Sequence, residues 1–264
     1  MHYPVKSMSF GILLCFLAVS PVITTGNGGE TNEVTVAAGH IKGSKGHTGV
    51  VAKTTSMAKS AAAAIAQEAM NLYGLMDLKK VGLSLQGFEY AWKGYKYLVE
   101  NGKINKNDVL SICDFSQSSR RKRFYVIDLA EKKVLINTWV AHGRNSGGEY
   151  ARSFSNNPDS HKSSLGFYVT RSTYYGSHGL ALKIEGLEKN INDKADERNI
   201  VIHGSEYVGA DFLSHSPING RSFGCPALPT DETHKVIETI KDGSCLFIYH
   251  PTKSYIQKSK VLNG

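Results

Sequence analysis

The sequence has little cysteine and no pattern of metal ligands. It contains 4 cysteines in 264 residues, without a C-x-x-C pair or a histidine and cysteine cluster. A structural zinc site needs four such ligands at short, characteristic spacings. The H-E-x-x-H motif of a zinc peptidase is also absent. We therefore expect neither a metal nor another cofactor.

Long hydrophobic runs are also scarce. The apolar run at residues 10–19 is ten residues long, which is too short to span a bilayer comfortably. It follows the basic residue Lys6 and ends before Ser20 and Pro21, as in a secretory signal. We predict a signal peptide at residues 1–26 and export to the periplasm or cell envelope. An N-terminal anchor that stays attached is the alternative.

Acidic residues are outnumbered by basic ones. There are 23 Asp and Glu against 31 Lys and Arg, so the formal net charge is +8 and the pI is about 9.2. Such a charge favours anionic partners, which for an exported protein are cell-wall polymers and the anionic cell envelope. The densest basic run, residues 120–123, has no interleaved aromatic side chains. It therefore predicts a solvated strand entrance and no binding of nucleic acid.

Removal of the signal peptide leaves an odd number of cysteines. Cys113, Cys225 and Cys245 remain, so at least one free thiol or an intermolecular bond is expected. Cys113 and Cys245 lie in apolar runs that are typical of a core. A disulfide between them is left open. Cys225 instead lies among glycine and polar residues, which favours an accessible thiol.

We expect the chain to divide into a leader with a helical extension, residues 27–106, and a main domain, residues 107–264. Residues 56–73 are rich in alanine, and residues 83–99 have the apolar spacing of an amphipathic helix. Two such helices are too small for a core of their own, so we expect them to pack on the main domain.

From residue 108 onward, short β-branched and aromatic runs replace the helical pattern. Many short strands around one core predict a mainly β fold, either a sandwich or a partly closed barrel. The predicted strands lie at residues 124–129, 134–140, 166–170, 181–184, 199–202 and 245–249. A short helix is predicted at residues 231–241, and a long polar loop at residues 141–162.

The most informative pattern combines a histidine and a cysteine. His203 ends an apolar run, and Cys225 follows Gly224 in a turn-forming segment. A thiol is a useful nucleophile as thiolate, and a nearby imidazole is a common way to form one. His203 is thus a candidate base that takes the thiol proton or holds a preformed ion pair. The backbone N–H groups of Gly224 and Cys225 are candidate oxyanion donors.

This segment resembles the L,D-transpeptidase (YkuD-type) catalytic domain family. The matching residues are His203, Gly204, Ser222, Gly224 and Cys225. The form GRSxGCPAL resembles a bacterial subfamily of murein L,D-transpeptidase catalytic domain proteins. The commonest family version has a second histidine where this chain has Phe223. The resemblance covers roughly residues 107–251 and implies the same mainly β, YkuD-like fold.

The resemblance implies a cysteine-dependent L,D-transpeptidase that acts on peptidoglycan stem peptides through a thioester acyl-enzyme. Cys225 would be the nucleophile, and the backbone carbonyl of Gly204 would orient His203. Arg221 is a candidate for binding a substrate carboxylate, since its planar fork suits that group; a loop-anchoring salt bridge is the alternative. Further candidates for substrate binding are Ser222, Tyr207 and His178.

Two other functions remain open at this point. A hydrolase, either an L,D-carboxypeptidase or an endopeptidase, would use the same Cys/His pair, because transfer and hydrolysis share the acyl-enzyme and differ in the acceptor. A non-catalytic secreted cell-wall-binding protein would keep Cys225 as a structural thiol. The protein is expected to be a monomer in each case.

Overall fold

The protein is described from a computed structural model, which covers the backbone of residues 47–264 and the side chains of residues 59–264. The predicted signal peptide and the predicted leader up to residue 46 lie outside the described residues. The helices are α1 (His47–Leu75), α2 (Leu85–Glu100), the 3-10 helix η1 (Arg144–Ser146), α3 (Ala210–His215), α4 (Thr230–Ile240), α5 (Lys253–Lys258) and α6 (Lys260–Asn263). The strands are β1 (Val109–Asp114), β2 (Phe124–Asp128), β3 (Lys133–Thr138), β4 (Gly166–Gly176), β5 (Gly179–Gly186), β6 (Val201–Ser205), β7 (Ala227–Pro229) and β8 (Cys245–Tyr249).

The strands form one mixed sheet in the order β3-β2-β1-β8-β4-β5-β6-β7. Strands β1 and β8 pair in parallel, as do β6 and β7, while the other neighbours are antiparallel. Every residue of β8 is buried, which agrees with its continuous apolar sequence. The predicted mainly β fold is confirmed. The predicted strands did not include β1, although all six of its residues are buried. The sequence patterns also did not predict the short elements β7, α5 and α6, which the sheet or the core beneath them stabilises.

The two edges of this sheet meet. Ala141, which follows the edge strand β3, donates its N–H to the carbonyl of Ala227 in the opposite edge strand β7 at 2.8 Å. One residue further along, the backbone carbonyl of His142 accepts a hydrogen bond from the Ser222 N–H at 3.0 Å. We call this contact between residues 141–144 and 222–227 the seam. The seam gives the sheet the form of a partly closed barrel.

The helical extension packs against the sheet, as expected. Helix α2 begins after Ser84, whose hydroxyl accepts a hydrogen bond from the Gly87 N–H at 3.1 Å and thereby caps the helix. A Cβ on Gly94 would lie 2.0 Å from Cζ of Phe167, so only glycine lets the helix approach β4 this closely. The apolar face of α2 therefore belongs to the same core as the sheet.

The core contains two free thiols. Cys113 on β1 and Cys245 on β8 are both fully buried and unbonded, so the disulfide left open above is absent. Burial raises the pKa of both thiols far above the usual range. They are therefore unreactive core residues. Within the described residues, no helix has the length and apolar character that crossing a membrane requires.

A buried cation lies beside the seam. Arg123 is fully buried and donates hydrogen bonds to the carbonyls of Val140 and Gln117 and to Nδ1 of His142, the last at 2.8 Å. Because Nδ1 accepts, His142 is neutral, with its remaining proton on Nε2 near the Gly147 carbonyl. Burial and, secondly, the charge of Arg123 lower the pKa of His142 to about 3.

Stability is expected to fall as the pH drops below 6.5, the ordinary pKa of histidine. The unfolded chain protonates His142 near that pH, whereas the folded protein leaves it neutral down to about pH 3. The unfolded state therefore binds more protons in this window, and the free energy of unfolding decreases by about 2 kcal/mol at pH 5. Above the window this contribution is constant.

Urea unfolding at pH 7.5 and pH 5 measures this contribution in the wild type and in His142→Gln. The variant is expected to be less stable at pH 7.5 but to lose about 2 kcal/mol less between the two pH values. The lowered pKa values of His203 and His250 act in the same direction, and the raised pKa of Glu188 acts in the opposite one. All three groups are present in both proteins. An equal decrease in the free energy of unfolding between pH 7.5 and pH 5 in the two proteins would therefore contradict the role of His142.

Candidate active site

The loop that carries Cys225 is held by its own side chains. The Ser222 hydroxyl donates to the Cys225 carbonyl at 2.7 Å and accepts from the Gly224 N–H at 3.0 Å. Gly224 has a φ of 128°, and a Cβ there would lie 2.9 Å from the Lys162 carbonyl oxygen. Ser163 donates to the Gly224 carbonyl at 3.1 Å. The peptide units on both sides of the thiol are therefore fixed.

These bonds bear on two sequence-based expectations. The hydroxyl of Ser222, a candidate for substrate binding, is engaged with its own loop. The Gly224 N–H, a candidate oxyanion donor, is engaged with that hydroxyl. The N–H of Cys225 has no acceptor other than its own sulfur within the described residues, and is the donor that this conformation leaves available.

The sulfur of Cys225 faces the segment that leads into β6. The thiol is half-buried and contacts the Asn199 carbonyl oxygen at 3.6 Å. Burial raises the pKa of the thiol, while hydrogen bonding to the backbone of Val201, the charge of Arg198 and its own backbone oppose that rise. The group is therefore a thiol at neutral pH. No hydrogen bond joins it to His203 in the described structure.

His203 is oriented by a backbone carbonyl. It is buried on β6, and its Nδ1–H donates to the carbonyl oxygen of Gly204 at 2.9 Å. This bond leaves Nε2 as the acceptor nitrogen. Burial lowers the pKa of His203, the hydrogen bond to Gly204 opposes that fall, and the neighbouring His178 adds a smaller decrease. The imidazole is therefore neutral at pH 7 and able to accept a proton.

Strand pairing closes the gap of 22 residues between the two groups. His203 lies opposite Ala227 in the parallel pair of β6 and β7, two residues beyond Cys225. The two side chains line one cavity of about 390 Å³. Its lining residues are Tyr174, His178, Arg198, Asn199, Ile200, Val201, His203, Tyr207, Arg221, Ser222, Phe223 and Cys225.

The cavity contains all four candidate binding residues. The ring of His178, from the hairpin between β4 and β5, stacks on His203 with centroids 4.7 Å apart. Tyr207 packs against Gly220, where a Cβ would lie 2.5 Å from the tyrosine ring. One terminal nitrogen of Arg221 donates a hydrogen bond to the Gly147 carbonyl at 3.1 Å. The alternative role for Arg221, a salt bridge, is not found among the described residues.

A family model for the L,D-transpeptidase catalytic domain (YkuD_2) matches residues 79–249, which is more than half of the chain. The chain belongs to the L,D-transpeptidase catalytic domain family. The match includes both His203 and Cys225, and it begins ahead of helix α2, so that helix is part of the matched region. No curated protein sequence matches the chain.

The solved structures that the chain matches include L,D-transpeptidases. One from Mycobacterium smegmatis is 11% identical, with a TM-score of 0.34 over 54% of this chain and 59% of that one. One from Mycobacterium tuberculosis is 15% identical, with a TM-score of 0.33 over 54% and 58%. The helical cell shape determining protein Pgp2 from Campylobacter jejuni is 17% identical, with a TM-score of 0.38 over 61% and 57%. The chain thus spans less than two thirds of each of these structures.

In this L,D-transpeptidase family member, part of the cavity wall comes from residues that no sequence pattern marks. Arg198 and Asn199 lie in a polar, charged stretch with no motif, and only the fold brings them to the thiol. Phe223 replaces the second histidine of the commonest family version. It is 64% exposed. The centroid of its ring lies 4.6 Å from the ring centroid of His161 and 4.6 Å from Cζ of Arg144. No group of residues suited to a metal ion is present in the described part of the chain.

Proposed function

We propose that the protein is a cysteine-dependent L,D-transpeptidase that acts on peptidoglycan stem peptides, with Cys225 as nucleophile and His203 as base. One observation supports this most directly: Cys225 and His203 line one cavity, with Nε2 of His203 free to accept a proton. Membership of the L,D-transpeptidase family supports the substrate class.

The first half-reaction forms a thioester. The Cys225 sulfur turns from the Asn199 carbonyl, passes its proton to Nε2 of His203 and attacks the carbonyl carbon of a donor peptide. The oxyanion that results accepts a hydrogen bond from the Cys225 N–H. When the carbonyl re-forms, the C–N bond breaks, and His203 returns its proton to the leaving amine.

The second half-reaction transfers the acyl group. An amine of another stem peptide attacks the thioester, and His203 accepts the amine proton. The C–S bond then breaks, and His203 passes that proton to the Cys225 sulfur, which regenerates the thiol. Water in place of the amine would give a trimmed stem, as in a carboxypeptidase or an endopeptidase. The same side chains serve both reactions, so the acceptor decides between them.

Arg221 is proposed to bind a carboxylate of the donor. Its second terminal nitrogen has no hydrogen-bond partner in the described structure, and no carboxylate lines the cavity. A guanidinium fork holds a carboxylate through two parallel bonds. Tyr207 and His178 also line the cavity and would contact the peptide.

The proposed location follows from the substrate. Peptidoglycan lies outside the cytoplasmic membrane, so residues 1–26 are proposed to be an export signal, residues 27–106 a leader and helical extension, and residues 107–264 the catalytic domain. The protein would act as a monomer in the periplasm or cell envelope, where its +8 charge favours anionic polymers.

Incubation of the purified protein with muropeptides tests the function. Mass spectrometry of the products is expected to show crosslinked dimers, and intact-protein mass to show a transient adduct on Cys225. Trimmed stems without dimers would indicate the hydrolase instead. Binding of muropeptides with neither products nor an adduct would indicate a non-catalytic cell-wall-binding protein and contradict the proposal.

A further inference from the structure

Two arginine side chains line the active-site cavity, and they differ in how their nitrogens are used. Arg221 is exposed, and only one of its terminal nitrogens is engaged. Arg198 is half-buried, and both of its terminal nitrogens are fully engaged. Arg221 therefore has donors for a ligand, whereas Arg198 has almost none to give.

All four acceptors around Arg198 are neutral. One terminal nitrogen donates to the Ser155 carbonyl at 2.8 Å and to the Ser164 hydroxyl at 2.5 Å. The other donates to the Lys162 carbonyl at 2.6 Å and to the Ser160 hydroxyl at 3.3 Å. Within the described residues no carboxylate pairs with this guanidinium. Its position is thus fixed while its positive charge stays uncompensated, which is costly for a partly buried group.

This charge lies against the nucleophile loop. A Cβ on Gly224 would lie 3.2 Å from a terminal nitrogen of Arg198, so the guanidinium packs beside the residue that precedes Cys225. Asn199, the next residue after Arg198, contacts the Cys225 sulfur through its carbonyl oxygen. The same cavity is lined by both Arg198 and Cys225.

We propose that Arg198 is a positioning residue for the nucleophile, whose fixed positive charge stabilises the negative charge on the Cys225 sulfur when the thiol proton leaves. The inference rests on the proposed function of Cys225. Arg198 would supply the positive charge that His203, a neutral imidazole, does not provide before proton transfer.

The electrostatic coupling is reciprocal. Burial lowers the pKa of Arg198, while Tyr168 and, to a smaller extent, the Cys225 sulfur oppose that fall. Burial raises the pKa of Cys225, and the charge of Arg198 is among the groups that oppose that rise. The other titratable groups that line the cavity are His178, His203, Tyr207 and Arg221, together with Tyr174. None of these is an acid that is negatively charged at neutral pH, so no anion in the cavity wall compensates Arg198 before the thiolate forms.

Alkylation of Cys225 by iodoacetamide as a function of pH tests this role on the full chain, with the modified cysteine located by peptide mass. In Arg198→Gln the apparent pKa of Cys225 is expected to rise by about one unit, with a roughly tenfold slower reaction at pH 7. Arg198→Lys keeps the charge but loses the fixed fork, so a smaller rise is expected. Arg171→Gln removes an arginine whose exposed partner is Glu185, and is the matched control with no expected change.

If the role of Arg198 were purely structural, its variants would have a lower melting temperature, but the pH dependence of Cys225 alkylation would be the same as in the wild type. That outcome overturns the proposal. If Arg198→Gln does not fold, Arg198→Lys decides: an upward shift supports the fixed charge, and a wild-type profile overturns it. The readout requires no turnover, so a wild type that fails with muropeptides while the shift is present would refute the proposed function and leave this inference standing.

Discussion

Replacement of Cys225 by serine is expected to abolish muropeptide turnover, with a loss of at least about a thousandfold in rate. A serine hydroxyl has a far higher pKa than a thiol, and His203, whose pKa is lowered by burial, is a weak base for it. The Ser222 and Gly224 bonds that hold the loop do not involve the sulfur, so the loop should keep its conformation. Product release and the intact-protein adduct are the measurements.

Cys245→Ala is the matched control for this experiment. Cys245 is fully buried on β8, and burial raises the pKa of its thiol far above the usual range. Its removal is expected to reduce stability by about 1–2 kcal/mol and to leave the adduct and the products in place. Wild-type turnover in Cys225→Ser, or an adduct that persists there, would place the reactive group elsewhere.

Removal of the imidazole in His203→Ala is expected to slow acylation by about 100- to 10,000-fold. In the resting protein His203 is neutral and makes no hydrogen bond to Cys225 within the described residues. Its loss should therefore leave the pH profile of Cys225 alkylation nearly unchanged, since alkylation needs the thiolate alone. The comparison of acylation rate with alkylation profile separates a base that acts during the reaction from one that holds an ion pair.

In His203→Ala, a rise in the apparent pKa of Cys225 that accounts for the whole fall in acylation rate would indicate the preformed ion pair. His215→Ala, which removes an exposed histidine at the end of α3, is the control and is expected to behave as wild type. Unchanged acylation in His203→Ala would transfer the role of base to another group, and His178, which stacks on His203, would be the next residue to replace.

Most of the sheet was predictable because its strands are short apolar runs. The runs at residues 124–129 and 245–249 correspond to β2 and β8 with small differences in their ends. Strand β4 instead continues to Gly176, well beyond the apolar segment that ends at residue 170, because it pairs with β5 in an exposed hairpin. Hydrophobic periodicity reports burial, and the outer part of this hairpin is not buried. β7 is three residues long and exists through its pairing with β6.

By itself the sequence determined the candidate nucleophile and base, the family to which they belong, and the mainly β class, because each depends on local motifs and on burial periodicity. Tertiary structure alone decided how they meet. The seam between residues 141–144 and 222–227 joins elements far apart in the chain, and long-range pairing leaves no local pattern. The same holds for the hydrogen bond that occupies the Gly224 N–H and for the uncompensated charge of Arg198 beside Gly224 in the loop that carries Cys225. A side chain's protonation depends on burial and on neighbouring charges, and folding brings those neighbours together.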